Sequence, residues 1–141
     1  MTLRLIDLFS GAGGMSLGFV DKEFCGGFES VLAIDNDQAA INTHKANFGG
    51  ETVCGNIETW LEDADVPAAD VVVGGPPCQG FSLLNKQRTG DERRALWEPY
   101  LDVVALSGAK LFVMENVPEL LKASEFQQIT RRAKKMGFDV I

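Results

Sequence analysis

The 141-residue sequence holds no apolar run near 18 residues, no low-complexity tract and no basic-then-apolar leader after Met1. Those absences speak against a membrane span and a secretory leader, so a soluble, intracellular protein is expected, cytoplasmic if bacterial. Cysteine is scarce and odd in number, with Cys25, Cys54 and Cys78 far apart. They form neither a disulfide framework nor a CxxC knuckle, and no metal is expected. Histidine is limited to His44. It sits on the apolar stripe of a helix-like segment, and so suits core or surface better than the general base that a thiol hydrolase needs. With 45% hydrophobic content the chain can bury one core, and one domain is expected.

Positive charge is nearly missing from the first half. Residues 1–75 carry three basic groups (Arg4, Lys22, Lys45) against twelve acidic ones, a balance of −9. Residues 76–141 carry ten basic against eight acidic, a balance of +2. A polyanion would meet the second half, although charge alone says nothing about fold.

What is present alternates. Short apolar segments at Leu3 to Phe9, Ser30 to Ile34, Ala69 to Val73 and Lys110 to Met114 each run into a turn and predict strands. Helices are expected over Met15 to Lys22, Gln38 to Phe48, Arg94 to Ser107 and Glu125 to Met136. Asp37 would cap the second helix, with Ile41, His44 and Phe48 on one face. Nearly all-apolar strands separated by helices indicate a parallel sheet covered on both faces, an α/β doubly wound domain. The final GFDVI, Gly137 to Ile141, reads as the start of another strand, so the chain would stop inside its domain.

Three strand ends carry the chemistry. The first strand runs into DLFSGAGG, whose glycines let the backbone turn sharply and approach a ligand. The dinucleotide fingerprint GxGxxG fails, because its third glycine would fall at Ser16. Asp35 closes the second strand 21 residues after Gly14, where a carboxylate can accept hydrogen bonds from ribose hydroxyls. The acidic surroundings disfavour a pyrophosphate and suit S-adenosylmethionine, whose sulfonium is a cation; the residues alone leave that choice open. The third strand delivers GGPPCQGFS to the same edge, with Pro76 and Pro77 stiffening the approach to Cys78. Cys25 and Cys54 are expected as core fillers, whereas Cys78 belongs to no apolar periodicity and stands as a candidate nucleophile. Glu115 ends the apolar strand KLFVM, a costly place for a carboxylate without partners or a task.

Taken in order, DLFSGAGG (7–14), GGPPCQGFS (74–82) and MENV (114–117) resemble the cytosine-5 DNA methyltransferases over essentially the whole chain. The resemblance implies a Rossmann-like S-adenosylmethionine-dependent methyltransferase fold, here incomplete, acting on double-stranded DNA as in restriction-modification. It implies that Phe9 stacks on the adenine, that Ser10, Gly11, Ala12, Gly13 and Gly14 shape the cofactor turn, and that Asp35 holds the ribose beside Asn36. Asn56 and Ile57 would meet the adenine edge, with Gly75, Pro77 and Leu96 at the methionine end. Asn56 stands where the family usually carries aspartate, its amide oxygen still able to accept from the adenine amino group.

Cys78 would add to carbon 6 of a flipped cytosine, with Glu115 bonding ring nitrogen 3 and the amino group. Gln79, Ser82, Lys86, Arg88, Arg93 and Arg94 would belong to a loop that closes over the DNA and meets its phosphates. The family's QxRxR motif, target-recognition domain and returning helix are not found, so residues 1–141 are expected to be the N-terminal part of the catalytic domain. A C-terminal half or second subunit would then be a partner. A tRNA cytosine-5 methyltransferase and a catalytically silent S-adenosylmethionine-binding module are the alternative expectations.

Overall fold

Strand β1 (Leu3–Leu8) is central because Leu5, Ile6 and Leu8 are fully buried on both faces at once, which a strand allows only with cover above and below. The computed structural model describes residues 1–77 and 95–141, and around β1 it sets β2 (Phe28–Asp35), β3 (Glu51–Cys54), β4 (Val71–Gly74) and β5 (Leu111–Met114). The order is β3-β2-β1-β4-β5 and every pairing is parallel. The chain therefore winds outward one way from β1 to β3 and the other way from β4 to β5. Right-handed crossovers then send the connecting helices to opposite faces.

One face carries Leu5, Val71 and Val73 under α1 (Gly14–Val20), with α2 (Gln38–Phe48) packing along β2 and β3. Against the other, Ile6, Leu8, Leu32, Ile34 and Val72 form the main core with residues of α3 (Ile57–Asp63), α4 (Trp97–Ser107) and α5 (Ser124–Lys135). Tyr100, fully buried on α4, brings its hydroxyl to the Val113 carbonyl at 2.8 Å and the Val72 carbonyl at 3.2 Å, tying α4 to β4 and β5. The doubly wound sheet expected from the sequence is thus the fold. Among the described residues, no helix is long and apolar enough to cross a membrane.

Three expectations need correcting. The closing GFDVI pairs with no strand among the described residues. Gly137 instead takes φ 90° and ends α5: its N–H donates to the Lys134 carbonyl while the Phe138 N–H donates to that of Ala133, the paired bonds of a Schellman cap. Phe138 then packs edge-on against Phe112, ring centroids 5.1 Å apart. Second, Cys25 and Cys54 are exposed rather than core. Cys25 lies in the loop after α1, and Cys54 ends the edge strand β3, which no further strand covers among the described residues. Third, β3 and α3 have no counterpart in the sequence expectation. ETVC is four residues long and none is buried, which leaves almost no periodic signal.

Candidate functional site

In a doubly wound sheet a crevice opens beyond the carboxyl ends of the strands, where the winding reverses. Here that point lies between β1 and β4. A cavity of about 400 Å³ opens beside it, within the range of small-molecule sites. Phe9 enters it from the end of β1, Ile34, Asp35 and Asn36 from β2, Gly55, Asn56, Ile57 and Glu58 from the β3–α3 junction. Gly75 and Pro77 reach it from β4, and Leu96 from the start of α4. Eight residues singled out in the sequence, Phe9, Asp35, Asn36, Asn56, Ile57, Gly75, Pro77 and Leu96, therefore share one wall system. Ile34, Gly55 and Glu58 were not foreseen, the last two because the strand that carries them there was not.

The turn after β1 is tightly held. Phe9 adopts φ 56°, a left-handed conformation uncommon for a bulky residue and costing about 1–3 kcal/mol. The Ser10 N–H donates to the Ile34 carbonyl and the Gly13 N–H to the Ser10 carbonyl, both at 3.0 Å. The Gly11 N–H donates to Asp35 Oδ2 at 2.8 Å, and the Asp37 N–H to Asp35 Oδ1 at 2.9 Å. Asp35 thus binds the turn to the end of β2, with a lone pair on each oxygen left to accept from a ligand. Ser10 and Gly13 are buried behind the turn, whereas Ala12 and Gly14 are exposed; these four and Gly11 do not line the cavity.

Asn56 departs from its expected use. Its Oδ1 caps α3, accepting the N–H of Glu58 at 2.7 Å and that of Thr59 at 3.4 Å. Both oxygen lone pairs are engaged, so the group left for a ligand is the Nδ2 donor. An adenine amino group, itself a donor, is not its natural partner.

At the other end, the Glu115 N–H donates to the Gly74 carbonyl at 3.0 Å, and Glu115 is exposed at the tip of β5. A Cβ on Gly75 would come within 2.8 Å of Glu115 Oε2, so the absence of a side chain lets the carboxylate lie against the β4 turn. Asn116 was quoted in the sequence but given no role. Its Nδ2 donates to the Pro76 carbonyl at 2.9 Å and fastens the β5 tip to the prolines. Cys78, Gln79, Ser82, Lys86, Arg88, Arg93 and Arg94 lie outside the described residues.

Comparisons with known proteins bear on the family and the fold. The type II methyltransferase M1.HphI of Haemophilus parahaemolyticus is 40% identical over 152 residues, covering 99% of this chain and 40% of that protein. M.XorII of Xanthomonas oryzae is 38% identical over 147 residues, covering 96% of this chain and 34% of its own length. The chain thus spans well under half of these relatives. Among solved structures, a DNMT2 from Spodoptera frugiperda superposes with a TM-score of 0.66 at 24% identity, covering 96% of this chain and 41% of the other. The plantazolicin methyltransferase BpumL in complex with SAH gives 0.57 at 15% identity, covering 94% and 56%; both likenesses concern the fold. The family described as C-5 cytosine-specific DNA methylase matches residues 3–141, and with nearly every residue inside that match the chain belongs to this family.

Proposed function

We propose that the chain is the cofactor-binding, nucleophile-bearing part of a DNA (cytosine-5-)-methyltransferase that uses S-adenosylmethionine. The observation that supports this reading most is the single crevice shared by Phe9, Asp35, Asn56, Ile57, Gly75, Pro77 and Leu96, drawn from separate strand ends. Its chemistry suits the cofactor. Phe9, Ile34, Ile57 and Leu96 offer apolar walls for adenosine, Asp35 offers acceptor oxygens for ribose, and Asp35 and Glu58 give the negative surroundings that a sulfonium tolerates. When bound, the cofactor supplies an electrophilic methyl group.

The protein's own residues would do the rest. Carbon 5 of cytosine is a poor nucleophile until a thiolate adds at carbon 6, and Cys78 is the residue for that addition. Glu115, beside Gly75 at the crevice rim, would hold ring nitrogen 3 and the exocyclic amino group of a base turned out of the duplex. After methyl transfer a base removes the carbon 5 proton and Cys78 departs. The segment with Lys86, Arg88, Arg93 and Arg94 would contact DNA phosphates. Reading of a DNA sequence would fall to residues beyond these 141, in a C-terminal half or a second subunit, since the relatives are more than twice as long.

Calorimetric titration with S-adenosylmethionine tests the crevice. Binding is expected for the native chain and at least a tenfold loss, about 1.4 kcal/mol, for the Phe9→Ala, Asp35→Ala double variant. Equal binding by both would remove the crevice as the cofactor site.

A further inference from the structure

Behind the glycine turn lies a polar cluster that the proposed chemistry does not use. Asp7 of β1, Ser16 of α1 and His44 of α2 are all essentially without solvent exposure. Ser16 Oγ donates to Asp7 Oδ2 at 2.7 Å and lies 3.0 Å from His44 Nε2, which itself is 3.8 Å from Asp7 Oδ2. The N-cap of α1, Gly13, has no side chain to offer the free N–H groups of the helix's first turn. The cluster also touches the turn directly. A Cβ on Gly13 would stand 2.3 Å from Phe48 Cε2 and 2.9 Å from His44 Cδ2, so the Gly13 backbone rests on these two rings. Gly13 also holds φ 100°, which a side chain would oppose.

We propose that Asp7, Ser16 and His44 form a directional hydrogen-bond relay that positions the glycine turn, with His44 the positioning residue and its contact with Gly13 the point of transmission. The relay's role toward the cofactor rests on the function proposed above. Burial keeps the His44 ring neutral by lowering its pKa, so Nε2–H donates to Ser16 and the Ser16 hydroxyl donates on to a charged Asp7. Nδ1 is then a bare acceptor, and among the described residues it has no hydrogen-bond partner. A proton on Asp7 Oδ2 reverses this order. The carboxyl donates to Ser16, Ser16 donates to Nε2, and the ring must carry its proton on Nδ1, where it finds no acceptor.

The groups around Asp7 make that proton accessible near neutrality. Burial, which raises it most, hydrogen bonding from Ser16, which lowers it, and the Asp35 carboxylate, which raises it, together leave the carboxyl pushed up to about 7. Tyr100 on α4 feels the Asp7 charge, while the ladder neighbours Ala33 and Val73 are apolar.

The test follows the amide resonances of Gly11, Gly13 and Gly14 by nitrogen-15 NMR from roughly pH 5.5 to 8.5, a range bracketing the carboxyl. The three should titrate together with the Asp7 side-chain carbon, and the transition should vanish in Asp7→Asn. Ser16→Ala, which removes the donor favouring the charged carboxylate, should raise the shared midpoint by about 0.5 pH unit or more. His44→Gln, which keeps a donor near the Nε2 position, should preserve the high-pH glycine shifts that His44→Phe displaces. Glycine amides that do not titrate, or a midpoint unmoved in Ser16→Ala, would overturn the relay. S-adenosylmethionine binding measured at both ends of the range separates the two proposals. Coupled titration without binding would refute the cofactor and leave the relay standing, whereas binding without coupled titration would do the reverse.

Discussion

Asp7 concentrates the energetics of single residues in this protein. A carboxyl held up near 7 when folded and near 3.8 when unfolded makes the folded state the stronger proton binder between those values. Its contribution to stability is therefore fully present below about pH 4 and is lost as pH rises through 7. His44, whose pKa burial lowers from 6.5, acts in the opposite sense, costing stability as pH falls below 6.5. Asp7→Asn should remove the first slope and leave the second. Urea midpoints at pH 5 and pH 8 should show the variant gaining on the native chain at the higher pH, and parallel pH profiles would contradict the burial account. The glycine turn and Asp35 were legible as candidates because the turn is contiguous and the carboxylate follows at a suggestive interval. The relay was not, since Ser16 lies nine residues from Asp7 and twenty-eight from His44, and no local pattern joins them.

At the scale of elements, caps decide where chain segments stop and what their polar groups are free to do. Asn56 begins α3 by accepting two backbone N–H groups and at the same time lines the crevice. Asn56→Ala should cost about 1 kcal/mol by loss of the cap, whereas Asn56→Asp should stay within about 0.5 kcal/mol of the native chain, because aspartate caps as well. Thermal melts of the two variants check this, and an alanine variant as stable as the native chain would deny the cap its role. Helix α2 was legible to the residue, from Gln38 to Phe48 with Asp37 accepting the Ala40 N–H at 2.9 Å, because cap and apolar stripe are both local signals. The C-terminal segment misled because Gly137 followed by alternating apolar residues suits a strand entrance as well as a Schellman cap. Only the carbonyls of Ala133 and Lys134 distinguish them.

For the molecule as a whole, the two faces of the sheet are unequally covered. On the face shared with α1, Val71 and Val73 are 5% and 0% exposed, while their ladder partners Leu111 and Val113 are 52% and 37% exposed. Val73→Ala should therefore cost about 1–3 kcal/mol, and the pair Leu111→Thr, Val113→Thr no more than about 1 kcal/mol. Chemical denaturation of both variants tests the contrast, which fails if the threonine pair proves as damaging as Val73→Ala. The sequence by itself determined the alternation of strand and helix apart from β3 and α3, the winding class, the glycine turn and the identity of the family, because each depends on runs of neighbouring residues or on short contiguous motifs. Tertiary structure alone decided that Asn56 spends its oxygen on a cap, that Gly75 makes room for Glu115, and that Asp7, Ser16 and His44 meet out of water. Those outcomes depend on which strands and helices come to lie side by side, and burial, which sets the charge of each group, exists only after they have done so.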